Sequence, residues 1–151
     1  MATTESFDTF LQDYVHISKF LNTRVTTILS PHHLTLDTFL IMHAIGNSKQ
    51  PILLMEIANQ RNVSRSAISR QISLLLDYNY ICQKANPNDR RKKGLLLTEE
   101  GHKLDAQLSH KMQLTLNQWR DQFGKQRVQT LLTLLRDFDD QVIEVAPTPL
   151  M

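Results

Sequence analysis

The sequence is poor in everything from which covalent cross-links, phosphate-cradling loops and membrane spans are made. Its 151 residues hold one cysteine, Cys82; a lone thiol closes no internal disulfide and builds no multi-thiolate zinc site, which excludes disulfide-stapled secreted scaffolds and zinc fingers. The four glycines, at 46, 94, 101 and 124, are too dispersed for a GxGxxG or GxxxxGK loop, so nucleotide enzymes built on those loops are excluded too. The longest aliphatic runs, Phe39 to Met42 and Ile52 to Met55, are four residues each, against the ~20 that a bilayer crossing requires. HExxH and GxSxG are missing as well, and no paired carboxylates stand out as a catalytic motif, so neither enzyme activity nor a cofactor is expected. Met1 to Glu5 have no basic region and no apolar stretch behind them, so no secretory leader is expected and a cytoplasmic location is.

What is present is ordinary globular chemistry: 41% hydrophobic and 21% charged residues, in a length that suits one domain of about 100–200 residues. The formal net charge of +2 hides an uneven distribution. Between Arg61 and Lys93 eight basic residues face two acidic ones, a local balance of +6 that leaves −4 for the rest of the chain. A basic block in an otherwise acidic chain is the footprint expected of a surface that meets phosphates.

Apolar residues at Phe7, Phe10, Leu11, Tyr14, Ile17, Leu21, Val25 and Ile28 recur at three and four, so residues 1–30 read as one amphipathic helix, stopped by Pro31. Thr35 is placed to cap a second helix that runs to Gly46. A short third helix ends near Asn62, and Ser64 caps a fourth that runs to about Tyr78. Ile81 to Lys84 and Leu95 to Thr98 flank a polar loop with a basic tip, the pattern of a two-stranded hairpin. Thr98 then caps a helix that Gly124 breaks, and a last helix carries Val128, Leu131, Leu132, Leu135, Phe138 and Val142. With prolines at 147 and 149, residues 146–151 are expected to be a disordered tail.

The order helix, helix, short helix, turn, helix, basic hairpin, long helices is that of a winged helix-turn-helix set in a helical frame. The expected fold is thus mainly α (α+β), a single domain over 1–151. Its DNA-binding lobe spans 35–100, and the helices at 1–30 and 120–145 serve dimerisation. On the fourth helix Ile68, Ile72 and Leu75 form one stripe, while Arg65, Ser66, Ser69, Arg70 and Ser73 occupy an arc of about 140° at ~100° per residue. Solvated helix faces usually mix glutamate with lysine; this arc carries arginines and hydroxyls and no acid, side chains able to bond phosphates and reach base edges. Together with Ser64 and the wing residues Arg90, Arg91, Lys92 and Lys93, these are the candidate DNA contacts.

Asp89-Arg90-Arg91, followed by Leu97-Thr98-Glu99-Glu100-Gly101, resembles the D-x-R wing signature and LTxxG of the multiple-antibiotic-resistance regulator (MarR) family of winged helix-turn-helix transcription factors. Leu34-Thr35 ahead of Phe39, and Ile57-Ala58 ahead of Val63-Ser64-Arg65-Ser66, agree with the same pattern. The resemblance implies a homodimer, a repressor of a palindromic operator in double-stranded DNA, released by a small aromatic or lipophilic effector. It places Arg91 in the minor groove and makes Asp89 the residue that steadies the wing. Asn62 and Asn79 stand where the family often has glycine, and asparagine is the usual substitute where φ must be positive. Leu54 stands in place of the common Ser or Thr cap, which predicts a weakly capped third helix.

Tyr14, His16, Met42 and His43 are candidates to border the effector pocket that the resemblance implies, although such residues are more often core. Cys82, beside apolar Ile81, is expected to be a buried structural cysteine. The histidines, His32-His33 and His102 with His110 included, define no recognisable metal-ligand set. The competing function is a winged-helix protein-interaction or dimerisation module without DNA specificity.

Overall fold

Apolar side chains spaced at three and four carry the first helix, α1 (Ala2–Leu29), up to a 3-10 turn, Ser30–His32, that holds Pro31 near its start, where a missing N–H is no loss. The computed structural model describes residues 2–145; the expected tail at 146–151 lies outside them. After α1 come α2 (Leu36–Asn47), β1 (Ile52–Leu53), α3 (Leu54–Gln60), α4 (Arg65–Asp77), β2 (Ile81–Ala85), β3 (Lys93–Leu97), α5 (Glu99–Phe123) and α6 (Lys125–Phe138), closed by a π-helical turn, Asp139–Ile143. The fold is mainly helical with one small antiparallel sheet.

The helix starts follow their caps. At α2 the Thr38 N–H donates to Thr35 Oγ1 (3.2 Å) and the Thr35 N–H donates to Thr38 Oγ1 (2.7 Å), a reciprocal box with threonine at both corners. At α3 the cap position is Leu53, one before the expected Leu54. Having no oxygen to offer, it is served by Glu56, which accepts the Leu53 N–H at 2.7 Å.

Three helical segments end in the same way. The chain turns left-handed at His33 (φ 61°), Asn62 (φ 50°) and Asn79 (φ 58°). In each case two backbone bonds close the turn: Leu34 N to Leu29 O with His33 N to Ser30 O, Val63 N to Ala58 O with Asn62 N to Asn59 O, and Tyr80 N to Leu75 O with Asn79 N to Leu76 O. This is the Schellman closure, in which a left-handed residue lets the last carbonyls find donors. The asparagines sit where positive φ is expected; His33 is a third such site, which nothing in the sequence marks.

The hairpin is part of a three-stranded sheet of order β1-β3-β2. Ile52 pairs with Leu95 and Leu53 with Gly94, so two residues ahead of α3 form an additional strand that two-residue periodicity cannot announce. Cys82 is exposed, not buried. Side chains alternate across a strand; Ile81 takes the core-facing place, and β2 is an edge strand whose next four residues are all exposed.

The chain divides into two compact units, Met1–Ser109 and His110–Met151. In the first, Leu29, Ile41, Met42, Ile57, Ile68, Leu75, Leu95 and Leu108 form a core of almost fully buried side chains. In the second, no described side chain is buried, and Leu131, Leu132, Leu135 and Phe138 stand exposed on α6. Gly124 separates α5 from α6 with φ 99°, a conformation in which any Cβ would be strained.

Candidate nucleic-acid interface

Helix α4 is held by one face and offers the other. Ile68, Ile72 and Leu75 are buried, each contributing roughly 1.5–3 kcal/mol by leaving water. Arg65, Ser66, Ser69, Arg70 and Ser73, on the remaining arc, are all exposed. Ser64 caps the helix: its Oγ accepts the Ala67 N–H at 3.2 Å and lies 3.1 Å from Ser66 Oγ. Its oxygen therefore first serves its own helix, a contribution of about 1 kcal/mol.

The far end of α4 is fixed as firmly. The Tyr80 carbonyl accepts from Thr98 N (3.1 Å) and Thr98 Oγ1 (3.2 Å), and Thr98 Oγ1 also donates to Asn79 O (2.7 Å). The same hydroxyl oxygen accepts the Gly101 N–H at 3.0 Å and so caps α5. A Cβ on Gly101 would collide with the Tyr80 carbonyl oxygen. In this chain the Leu97-Thr98-Glu99-Glu100-Gly101 motif thus joins the end of α4 to the start of α5.

The wing tip between β2 and β3 is a closed network. Asn86 N donates to Lys92 O (3.0 Å), Lys92 N to Asp89 O (3.0 Å) and Asn88 N to Asn86 Oδ1 (2.9 Å). Asp89, half-buried, accepts the Arg91 N–H on Oδ1 at 3.0 Å. Asn86 is the member of this network that sequence reasoning missed; its signal was an asparagine two residues ahead of the turn, the spacing at which a side-chain amide bonds the backbone. Arg90, Arg91, Lys92 and Lys93 are exposed.

Charge pairing separates two kinds of cation in the basic block. Arg61 bonds Asp37 at 3.2 Å and ties the end of α3 to the start of α2. Arg65, Arg70, Lys84, Arg90, Arg91, Lys92 and Lys93 have no ion pair among the described residues. Seven of the eight cations in the block are thus not neutralised by any described acid.

The four candidate pocket residues differ in their surroundings. Met42 is a fully buried core side chain, and Tyr14 is exposed on α1, 6.5 Å from Phe10 in a stacked pair. His16 lines a hollow with Leu11, Gln12, Val15 and Lys19, all on α1. His43 stacks on Phe39 and its Nδ1 lies 2.8 Å from Asp105 Oδ1, with Ser109 Oγ 3.5 Å from the same nitrogen. A serine–histidine–aspartate relay needs the carboxylate and the hydroxyl on opposite ring nitrogens; here both meet one, so this cluster is no nucleophile. Among the described residues no three His, Cys, Asp or Glu side chains come together to hold a metal, and no helix is long and apolar enough to cross a membrane.

Residues 32–92, from the end of the 3-10 turn to the wing tip just described, match the MarR family model. Over that segment the chain is similar to the MarR family. An uncharacterised HTH-type transcriptional regulator of Staphylococcus aureus strain Mu50 is 28% identical over 104 residues, 69% of this chain and 68% of the relative. Among solved structures, the S. aureus MarR protein in complex with salicylate and kanamycin superposes with a TM-score of 0.77 at 20% identity, over 92% of this chain and 93% of the other. The transcriptional regulator SlyA gives 0.73 at 18% identity, over 89% and 94%. At such identities the structural likeness is one of fold, and that fold is the winged helix of MarR proteins. The relative and SlyA are both named as transcriptional regulators.

Proposed function

We propose that this protein is a MarR-type transcription regulator: a cytoplasmic, homodimeric repressor that grips a palindromic operator and releases it when a small aromatic or lipophilic molecule binds. The observation that carries the reading is that two arginines on the acid-free arc of α4 and four cations on a wing tip whose only carboxylate is bonded to its own backbone have no ion pair among the described residues. In this reading Arg65, Ser66, Ser69, Arg70 and Ser73 meet base edges and phosphates in the major groove, and Arg91 enters the minor groove, where a narrow A·T stretch concentrates negative potential. Dimerisation is supported by apolar side chains left in water, Phe7 and Phe10 on α1 and Leu135 and Phe138 on α6, each more than half exposed. A second copy related by a two-fold axis would cover them and set two recognition helices about one helical turn of DNA apart.

The test is selection of bound fragments from random double-stranded DNA, repeated with salicylate, with kanamycin and with lipophilic phenols. A palindromic consensus that disappears on addition of one of these compounds is the expected result. Recovery of no consensus, with binding indifferent to salt, would leave a protein-interaction module in place of a DNA reader, because phosphate contacts must weaken steeply as salt rises.

A further inference from the structure

Tyr80 bonds three elements at once. Its N–H closes the end of α4 on Leu75 O (2.9 Å), its carbonyl takes two bonds from Thr98 at the start of α5, and its phenol donates to His32 O (3.2 Å) in the turn that follows α1. A second link joins the same turn to the same helix end: the His33 ring stacks on Tyr78, the C-cap of α4, with centroids 4.6 Å apart and planes within 7°. Tyr78 in turn lies 5.9 Å from Tyr80, so three rings form a ladder. His33 holds its ring there from a left-handed backbone, φ 61°, which residues other than glycine, asparagine, aspartate and histidine seldom adopt. Burial raises the Tyr80 phenol above its ordinary value, and the nearby Glu100 and Tyr78 raise it further, which keeps it a donor.

None of these groups lies on the arc of α4 that carries the candidate base contacts. Their leverage is geometric. A helix of 13 residues is roughly 20 Å long, so a tilt of about 6° at its far end moves its N-terminal residues about 2 Å. Bidentate contacts to a base do not survive a shift of that size, since hydrogen bonds hold within a few tenths of an ångström.

We propose that Tyr80 is a positioning residue for operator recognition: with the His33–Tyr78 stack it fixes the tilt of α4 against the end of α1, and thereby the half-site spacing the dimer accepts. This rests on the reading of the protein as a dimeric operator-binding regulator. A tie that served stability alone would, when cut, weaken folding and lower binding to all DNA together. A positioning tie, when cut, changes which DNA is preferred.

The experiment compares the full-length protein with Tyr80→Phe, which removes one oxygen, and His33→Asn, which tolerates the left-handed backbone but removes the ring. Each is titrated against the selected operator, against operators with one base pair inserted or deleted between half-sites, and against scrambled duplex, with thermal unfolding measured in parallel. Tyr80→Phe is expected to bind the operator roughly 3- to 10-fold more weakly, the worth of one neutral hydrogen bond, and scrambled DNA unchanged. Both variants are expected to discriminate less between spacings. An unchanged spacing preference in both, or a parallel loss of specific and scrambled binding with a lowered Tm, overturns the proposal. A native protein that discriminates no spacing at all sinks the operator reading itself, and this inference with it.

Discussion

Asp89 turns its carboxylate back onto the N–H of Arg91, 3.0 Å away, so the one acid of the wing tip bonds its own loop and not whatever faces the tip. Simple electrostatics has Asp89→Ala bind DNA more tightly, since a negative charge is removed. The bond predicts the opposite: the Arg91 N–H loses its acceptor, the tip loosens, and affinity falls severalfold, on the order of one charge-assisted hydrogen bond. Asp89→Asn, which keeps an acceptor oxygen, should retain part of it. Anisotropy titrations of the two variants decide the sign.

Arg91→Ala removes a cation without disturbing that bond, which is made by the backbone. Binding should weaken nearly equally for all sequences, and the plot of log affinity against log salt should become shallower by about 0.9 for each phosphate no longer neutralised, doubled in a dimer. An unaltered slope would leave the wing tip a solvated loop.

Arg70→Ala should act differently, because Arg70 lies on the helix arc and not on the wing. Removal of a bidentate bond to a base costs ~1 to 3 kcal/mol and relaxes preference at one position of each half-site. Footprinting that shows unchanged selectivity and affinity would mean that another face of α4 reads the DNA.

Gly101→Ala places a methyl group against the Tyr80 carbonyl, which is itself held by two bonds from Thr98. Neither side can retreat freely, so the substitution should destabilise the fold by ~1 to 3 kcal/mol, the usual range for overpacking. Urea unfolding measures it; a neutral result would show that the junction yields.

Sedimentation of the native protein should give twice the mass of one chain, and a charge placed on an exposed apolar stripe, as in Phe10→Glu or Leu135→Glu, should shift the equilibrium toward single chains. A native protein that sediments as one chain at micromolar concentration would exclude the dimer.

Much of the lobe is legible in the sequence because its signals are local. Thr35, Ser64 and Thr98 are caps that the sequence announces within three residues, and Asn62 and Asn79 are residues for which a left-handed backbone is cheap. The missed features depend on partners far along the chain. β1 exists because Ile52 and Leu53 meet Leu95 and Gly94, more than forty residues away. His33 is left-handed although histidine announces no such turn, and its ring finds Tyr78 only in the fold. The neighbour Ile81 points to a core place for Cys82, but alternation along an edge strand turns adjacent residues to opposite sides. The pairing of Arg61 with Asp37, which removes one cation from the basic block, likewise spans 24 positions. The candidate contacts on α4 and the wing are legible because exposure follows from helical period and loop polarity; the grouping of Tyr14, His16, Met42 and His43 requires distances that no pattern contains.

The closures at Asn62 and Asn79 bracket α4 between two fixed ends, with Ser64 setting its first turn. Exchanging residue types on the exposed arc leaves both ends and the buried stripe untouched. Inserting a single residue between them does not, since it rotates everything beyond it by about 100° and turns the arc away from its former direction. On the proposed reading the lobe is therefore suited to re-addressing by substitution: new operators would be reached by rewriting five letters in a frame of fixed length.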